Sequence, residues 1–410
     1  MRLLLLCPHF EPDLHAATGE VMSRLVHALA DRGHQIDVVT SLPWYKDHAV
    51  DPAWTGRPVR TETTDFGSIV RVYPFPTDKN DLVARAAGFV GFTGLLTACS
   101  LKRPRPDVVM AMSPPIFLGE AGWLAATRYR APFVFNVQDI FPDVAVDLGA
   151  LTNPKVIAAA RRYERSLYRR ADAVTVLSED QAANVRAKLD GDPDGRVAII
   201  KNFVDPDRVR VIEGDTDYRR AHGLDGKTVV MYSGNVGLSQ AFDLVKSASD
   251  HFADRPEVHF VINGEGAGRP GVDAWAGERA NVTVSDFAPR EAVSDVLGSA
   301  DLHLVLLKRG LARSSTPSKL YGILAAGRPC LAAIDEGSEV TLTLADAGAG
   351  VSVPPEDPAA FISALEALLA DPARMEAMGR AGRAHLESCL TPAAQAEAYE
   401  SLFDTLRSKR

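Results

Sequence analysis

Short apolar runs alternate with amphipathic stretches along the first half of the chain. Residues 2–8 form an apolar run that ends in a proline-containing loop, as is typical of a buried parallel strand. Residues 19–32 place Val21, Leu25 and Leu29 on one stripe of a helix, and Gly33 suits its end. Further predicted strands cover residues 35–40, 107–112, 132–137, 173–177 and 197–201. This alternation predicts a doubly wound α/β sheet.

The alternation restarts in the second half. Predicted strands cover residues 229–233, 259–263, 282–284, 302–306 and 330–333, and predicted helices follow at 359–370 and 373–387. Residues 203–217 are rich in charge and contain Pro206 and Gly214, so they are the best linker candidate. We therefore predict two Rossmann-like domains facing across a cleft, the first over residues 1–204 and the second over 215–391. Ligands of such sheets bind beyond the carboxyl ends of the strands.

Composition narrows the class of protein. The chain has 410 residues, of which 46% are hydrophobic and 24% charged, and this excludes collagen-like, disordered and disulfide-scaffold proteins. The formal charge of −8 argues against a dedicated nucleic-acid binder. The four cysteines form no C-x-x-C pair, so neither a zinc site nor a disulfide framework is indicated. The N-terminal apolar run is too short for a signal peptide, and a cytoplasmic protein is expected.

The first domain offers candidates in two loops. In the loop after the first strand, Asp13 and His15 are polar enough to reach a substrate, and Gly19 opens a helix whose N–H groups can face an anion. An ordinary solvated loop is about as good a reading for Asp13 or His15 alone. After residues 132–137, Asp139 can act as a base or hold an acceptor hydroxyl, and Asp143 is a second candidate. A turn aspartate near a proline explains Asp143 equally well.

The second domain offers glycine-rich loops after two of its strands. Gly234 and Gly237 permit close backbone approach to a ligand, and Asn235 can hydrogen-bond a phosphate. A tight turn without a ligand is the alternative. Residues 263–268, NGEGAG, are a weak dinucleotide loop, because the spacing is G-x-G-x-G and no clear helix is expected after them. Turn chemistry is the preferred reading there.

The most informative segment is SSTPSKLYGILAAGRPCLAA, residues 314–333. Ser315 or Thr316 can cap a helix with Pro317 in its first turn. Lys319 lies in that turn, where a cation opposes the helix dipole and is poorly placed for stability. An anionic diphosphate would resolve the conflict, and we prefer this reading to a merely solvated lysine. In the loop after residue 333, Glu339 suits a helix start or can accept hydrogen bonds from a ribose diol.

Two stretches raise the possibility of membrane contact. Residues 86–101 are uncharged but fall short of the ~20 residues that span a bilayer. They are followed by Lys102, Arg103 and Arg105, so the stretch is either a helix buried in the first domain or an interfacial helix on anionic lipid. A second basic cluster carries Lys155, Arg161, Arg162, Arg165, Arg169 and Arg170. Such a run is usually a solvated face, yet the two together can dock a lipid-phosphate acceptor.

Several motifs, in this order, resemble the glycosyltransferases of the GT-B fold. They are PHFEPD at 8–13, SPP at 113–115, QDIFPD at 138–143, YSGNVG at 232–237, PSKLYGILAAGRP at 317–329 and EGSEV at 336–340. More narrowly, the chain resembles glycosyltransferase family 4 and its WbuB-like bacterial polysaccharide branch. YSGNVG and PSKLYGILAAGRP are the specific motifs, and the resemblance covers nearly the whole chain.

The resemblance implies a retaining, metal-independent transfer of a sugar, from a nucleotide-sugar (UDP-linked in our expectation) to an acceptor hydroxyl in polysaccharide or glycolipid synthesis. No cofactor is expected. The second domain would hold the donor, with Lys319 and the adjacent Ser318 on the diphosphate beside Gly234 and Asn235, and Glu339 near the sugar or ribose. The first domain would face the acceptor, and the last helix, residues 392–410, would cross back onto it. Asp139 falls near a histidine of many relatives, whose own column here holds Gln138.

The chain also departs from the family pattern. The two glutamates of the common E-x(7)-E motif are replaced by Ser314 and Gly322, so ribose binding by that glutamate is impossible. A lysine of many relatives is replaced by Gln240, which leaves Lys319 with Arg290 or Arg313 as helpers on the phosphates. Two alternatives stay open: a non-hydrolysing nucleotide-sugar epimerase, which is another enzyme class on the same fold, and an inactive nucleotide-sugar-binding scaffold, which the missing glutamates suggest. The basic and apolar stretches of the first domain favour a transferase.

Overall fold

The chain divides into two compact units in the computed structural model. The model describes residues 1–14, 17–45, 48–77, 82–147, 149–312 and 318–409. Unit 1 comprises Met1–Asn202 with Pro392–Arg410, and unit 2 comprises Phe203–Thr391. Of the candidates, His15 and Arg313 lie outside the described residues, as do Ser314, Ser315, Thr316 and Pro317 before Lys319.

Unit 1 is built on an eight-stranded sheet in the order β3-β4-β2-β1-β5-β6-β7-β8. Its elements are β1 (Arg2–Leu6), α1 (Ala17–Asp31), β2 (Gln35–Ser41), β3 (Val59–Thr64), β4 (Gly67–Val72), α2 (Leu82–Ser100), β5 (Val108–Ser113), α3 (Leu118–Tyr129), β6 (Phe133–Val137), α4 (Asp143–Asp147), α5 (Pro154–Arg170), β7 (Ala173–Val176), α6 (Glu179–Lys188) and β8 (Val197–Ile199). All neighbouring strands are parallel except β3 and β4. The central strands are buried along their length because helices cover both faces.

Unit 2 is built on a six-stranded parallel sheet in the order β11-β10-β9-β12-β13-β14. Its elements are α7 (Asp217–Ala221), β9 (Thr228–Ser233), α8 (Asp243–His251), β10 (Val258–Asn263), α9 (Arg269–Ala276), β11 (Val282–Ser285), α10 (Val293–Gly298), β12 (Leu302–Leu306), α11 (Lys319–Ala325), β13 (Cys330–Ala333), α12 (Glu339–Ala347), β14 (Gly350–Val353), α13 (Pro358–Leu369) and α14 (Pro372–Cys389). The sheet of unit 2 is parallel throughout and that of unit 1 is parallel except for the β3–β4 pair, so the predicted α/β fold class is confirmed.

The last helix, α15 (Pro392–Ser408), belongs to unit 1 and packs against α1. Its Tyr399 hydroxyl accepts a hydrogen bond of 2.7 Å from the Asn136 amide at the end of β6. Glu400 pairs with Arg32 and with His34 near the end of α1. The C-terminal segment is thus attached to unit 1 through buried and charged contacts.

The structure adds elements that the sequence pattern did not predict. β3 and β4 form an antiparallel hairpin at the sheet edge, and β14 closes the other sheet. At the hairpin turn Gly67 has φ +143°, and a β-carbon there would lie 2.3 Å from the Ile36 carbonyl oxygen. The expectation that no helix follows NGEGAG was wrong, because α9 begins at Arg269 directly after it.

Candidate functional site

The strand order of unit 2 creates a switch point beside β9. From β9 the chain moves outward to β10 and β11, and it then returns to the other side of β9 with β12. In open α/β sheets the loops diverge at such a point and leave a crevice beyond the carboxyl ends of the strands. The glycine-rich GNVG segment follows β9 at this crevice, and α11, the helix after β12, begins there with Lys319.

The two glycine-rich loops of unit 2 pack directly on each other. Gly234 N–H donates to the Asn263 carbonyl at 3.0 Å, and Val236 N–H donates to the Glu265 carbonyl at 2.8 Å. Gly264 has φ +152°, and a β-carbon there would lie 1.9 Å from the Gly234 carbonyl oxygen. Only glycine allows this backbone approach. NGEGAG is therefore more than an isolated turn, since it supports the loop after β9.

Lys319 is the first residue of α11, and its ammonium lies against the loop after β9. The Nζ atom lies 3.5 Å from the centroid of the Tyr232 ring, and a β-carbon on Gly234 would lie 3.0 Å from it. This nitrogen is buried and has no hydrogen-bond partner among the residues that the structure describes. Burial lowers the pKa of Lys319 from 10.5 to about 7. The ammonium therefore lacks the acceptors that an anion would supply.

Tyr232, the last but one residue of β9, was missed as a site residue. Its hydroxyl donates a 2.6 Å hydrogen bond to the Asn235 carbonyl, and burial raises its pKa. The hydroxyl of Tyr232 thus anchors the loop after β9, and the face of its ring lies against the Lys319 ammonium. The sequence signal for this role was an aromatic residue directly before the glycine-rich loop.

The other predicted donor-side residues differ in their surroundings. Gln240 accepts a hydrogen bond from Gly237 N–H at 2.9 Å and donates to the Ser239 hydroxyl at 3.0 Å, so its amide closes the loop after β9. Ser318 is exposed just before α11 and makes no capping hydrogen bond. Arg290 lies in a short 3-10 helix, Arg290–Ala292, that precedes α10.

Glu339 begins α12, directly after the loop that follows β13. It is buried, and its Oε1 accepts a 2.9 Å hydrogen bond from the Thr343 hydroxyl. Nearby Tyr321 is also buried, and its hydroxyl has no partner within the described ranges. Burial, with a smaller contribution from the Glu339 carboxylate, raises the pKa of Tyr321. Tyr321 is a second polar group that the sequence pattern did not single out.

In unit 1, Asp139 follows β6 by two residues. Its carboxylate is largely buried, and no hydrogen bond or ion pair joins it to another described residue. Burial accordingly raises its pKa. Neighbouring Gln138 is different, since it donates to Asn136 Oδ1 at 2.9 Å and accepts from the Asn202 amide at 2.8 Å. Of this pair, Asp139 is the residue whose side chain has no hydrogen bond to another described residue.

Asp143 is tied into a polar network. It accepts hydrogen bonds from Lys188 at 2.7 Å, Asn184 at 3.1 Å and Arg161 at 3.0 Å. Burial alone would raise the pKa of Asp143, but the bonds from Lys188 and Asn184 hold it below its ordinary value. This carboxylate therefore joins α4, α5 and α6, which is a structural task.

Asp13 also organises its surroundings. Its Oδ2 accepts hydrogen bonds from the backbone N–H groups of Trp44 and Tyr45, both at 3.1 Å, and lies 3.4 Å from His9 Nδ1. Burial alone would raise the pKa of Asp13, but the bonds from His9 and Trp44 lower it. Gly19 packs against the same loop, and a β-carbon there would lie 2.6 Å from the Asp13 carbonyl oxygen. The loop after β1 is thereby joined to the loop after β2.

The described residues form no cluster of metal ligands. No group of three or more His, Cys, Asp or Glu side chains in the described part of the chain is arranged to hold an ion.

Comparison with known proteins places this geometry in a family. Residues 17–203 match the model of the glycosyl transferase 4-like domain, and residues 215–385 match that of glycosyl transferases group 1. The chain belongs to glycosyltransferase family 4 and has the GT-B fold. It is accordingly a glycosyltransferase that uses a nucleotide-sugar donor.

Individual relatives agree with this assignment. The chain is 27% identical over 381 residues to the putative colanic acid biosynthesis glycosyl transferase WcaI of Escherichia coli, covering 90% of this chain and 92% of that one. It superposes on sucrose-phosphate synthase from Thermosynechococcus elongatus with a TM-score of 0.76 at 18% identity, covering all of both chains. It also superposes on Anabaena HepE, solved with UDP-glucose, with a TM-score of 0.65 at 13% identity, covering 99% of this chain and 100% of that one.

Proposed function

We propose that this protein is a retaining, metal-independent glycosyltransferase that moves a sugar from a UDP-linked donor to an acceptor hydroxyl in polysaccharide or glycolipid synthesis. The observation that carries the donor site is the buried ammonium of Lys319, held beside the glycine-rich loops at the switch point of unit 2. The name of WcaI and the UDP-glucose complex of HepE support the choice of acceptor class and base.

In this proposal the donor diphosphate lies between α11 and the loop after β9. Lys319 donates charge-assisted hydrogen bonds to its oxygens, and the backbone at Gly234 and Asn235 approaches it closely. Ser318 and Gln240 border the phosphates, and Arg290 and Arg313 are helpers. Glu339, at the start of α12, receives hydroxyl groups of the ribose or of the sugar.

Departure of the nucleoside diphosphate is the demanding step. The bond from the anomeric carbon to the diphosphate breaks through an oxocarbenium-like transition state, and negative charge accumulates on the leaving phosphate. A lysine held in a site of low dielectric stabilises that charge more strongly than water does. On the acceptor side, Asp139 holds the incoming hydroxyl, and Asp13, His15 and Gly19 border the acceptor.

Calorimetric titration with UDP, GDP, ADP and TDP tests the donor site. We expect one nucleotide to bind, and Lys319→Ala to weaken it about 10- to 100-fold, because a charge-assisted hydrogen bond is lost. Lys227→Ala is a matched control, since Lys227 precedes β9 at the opposite edge of the same sheet and should leave the affinity unchanged. Binding by none of the four nucleotides, or equal loss in both variants, contradicts the proposed site.

The proposal also includes a cellular location. We place the enzyme in the cytoplasm, peripherally on the inner face of the cell membrane, where a lipid-linked acceptor is available. No helix in the described part of the chain is long and apolar enough to cross a membrane.

A further inference from the structure

Helix α2 presents an apolar stripe to solvent. Arg85 is its only charged residue in the sequence, and among the side chains that the structure describes in this helix the exposed positions are Ala87, Val90, Gly94 and Ala98. Spacings of three and four residues bring these positions onto one face of the helix. The Val90 side chain is 56% exposed, which is unusual for valine. One side of an otherwise packed helix is therefore both apolar and uncovered.

Two aromatic residues widen this stripe. Phe75 and Tyr73 are 41% and 38% exposed, and their rings meet edge to face at 5.2 Å. Phe75 lies against α2, because a β-carbon on Gly91 would be 3.4 Å from its ring. We define the apolar face as Tyr73, Phe75, Ala87, Val90, Gly94 and Ala98.

A basic turn continues the stripe. Lys102 follows Ala98 by four residues, and Arg103 and Arg105 come directly after it. None of the three forms an ion pair with a described residue, and Arg103 Nε is buried without a hydrogen-bond partner among them. The turn therefore carries uncompensated positive charge at one end of the apolar face.

The second basic cluster, on α5, is largely neutralised. Arg165 and Arg169 share Asp190, and Arg170 pairs with Glu120. Arg161 likewise pairs with Asp143. Of the two basic clusters in the sequence, this one mainly stabilises unit 1.

We propose that the apolar face of α2 and the basic turn dock onto an anionic lipid bilayer surface. An interfacial helix needs apolar side chains to enter the acyl boundary and cations to meet lipid phosphates, and this surface offers both. With a formal charge of −8 the whole chain is repelled by such a membrane, so attraction has to come from a local patch. A two-fold contact with a second copy would bring like charges together, which argues against self-association. The proposal rests on the membrane location given under the proposed function and assigns the surface that makes the contact. The surface does not involve the donor site, so vesicle binding and nucleotide binding can fail independently of each other.

Vesicle co-sedimentation without nucleotide tests the docking surface. The full-length protein should bind to vesicles of equal parts phosphatidylglycerol and phosphatidylcholine. It should bind much less to vesicles of phosphatidylcholine alone. Replacing Lys102 and Arg105 with Gln should lower the partition coefficient about 25-fold, since each cation near an anionic surface contributes about fivefold. Val90→Asp should lower it at least about tenfold, because an apolar contact is replaced by a charge.

Matched controls lie on α5. Val156 is 49% exposed there, so Val156→Asp makes the same change on another face. Lys155→Gln with Arg162→Gln removes the same charge. Both controls should bind vesicles like the wild type, and all variants should bind UDP equally. Equal binding to both vesicle types, or equal loss in the α5 controls, overturns the proposal. The proposal is also overturned if the wild type fails to bind vesicles and instead forms a dimer that Val90→Asp abolishes. The apolar face would then be an interface between copies.

Discussion

Replacing Lys319 with methionine should stabilise the free protein while it abolishes tight donor binding. The lowering of the Lys319 pKa from 10.5 to about 7 corresponds to a burial cost of about 4 kcal/mol at neutral pH. The Tyr232 ring at 3.5 Å returns up to about 2 kcal/mol through its negative face. Methionine keeps the side chain to within one atom of its length and removes the charge, so the net gain should be about 2 kcal/mol.

The gain should depend on pH with a defined sign. Between pH 7 and 10.5 the unfolded lysine is protonated while the folded one has lost its proton, so wild-type stability rises with pH across this window. Below pH 7 both states hold the proton and the full cost remains. The advantage of Lys319→Met should therefore be greatest below pH 7 and shrink as the pH rises toward 10.5.

Thermal unfolding with and without the nucleotide that binds provides the assay. A gain of about 2 kcal/mol raises the transition of a unit the size of Phe203–Thr391 by about 4–8 °C. Lys319→Ala is the control for side-chain volume, because it removes the charge but leaves a void, and should gain less. The reasoning is refuted if Lys319→Met is less stable than the wild type at every pH and still binds the nucleotide with unchanged affinity.

Three further substitutions test other parts of the site. Asp139→Asn should lower transfer at least about 100-fold in a radiolabelled-sugar assay while donor affinity stays unchanged, because the carboxylate acts on the acceptor. Gly264→Ala should abolish nucleotide binding and lower the melting temperature, since its β-carbon would lie 1.9 Å from a carbonyl oxygen, whereas Gly271→Ala, with nothing within 4 Å, should do neither. Asp13→Asn should destabilise unit 1 by about 1–2 kcal/mol at neutral pH. Because folding lowers the Asp13 pKa, that difference should vanish as the pH falls below 3.8, and Trp44 fluorescence can follow it.

The central parallel strands were predictable because both of their faces are covered. Continuous apolar runs such as residues 107–112 and 302–306 are short, strong signals, and they coincide with β5 and β12. β3 gave no such signal, since Val59–Thr64 reads VRTETT and lies at the sheet edge, where two of its six residues are exposed and none is fully buried. Its place depends on pairing with β4, which is a tertiary effect that local composition does not carry.

Within the proposed site, residues that carry the chemistry were easier to predict than residues that hold the loops in place. Lys319 was predicted as a phosphate ligand because a cation at a helix start conflicts with the helix dipole, and that role stays a prediction. Gly264 was missed because its role depends on a contact with the Gly234 carbonyl in a loop distant in the sequence, and Tyr232 was missed because its ring meets Lys319, which is equally distant. Gln138 shows the converse, since its position in a motif suggested the site while its amide is committed to the buried network with Asn136 and Asn202.

Both arguments about Lys319 lead to the same physical conclusion. The helix dipole and the lost hydration each make its charge unfavourable in the free protein, and among the described contacts the face of Tyr232 offsets part of that cost. In the proposed function an arriving diphosphate would reverse both effects, because it would supply acceptors to the ammonium and negative charge to the start of α11. The developing charge on the leaving phosphate would then meet a cation that has no hydrogen-bond partner among the described residues. A donor site of this kind gains catalytic stabilisation from the same feature that lowers the stability of unit 2 in its absence.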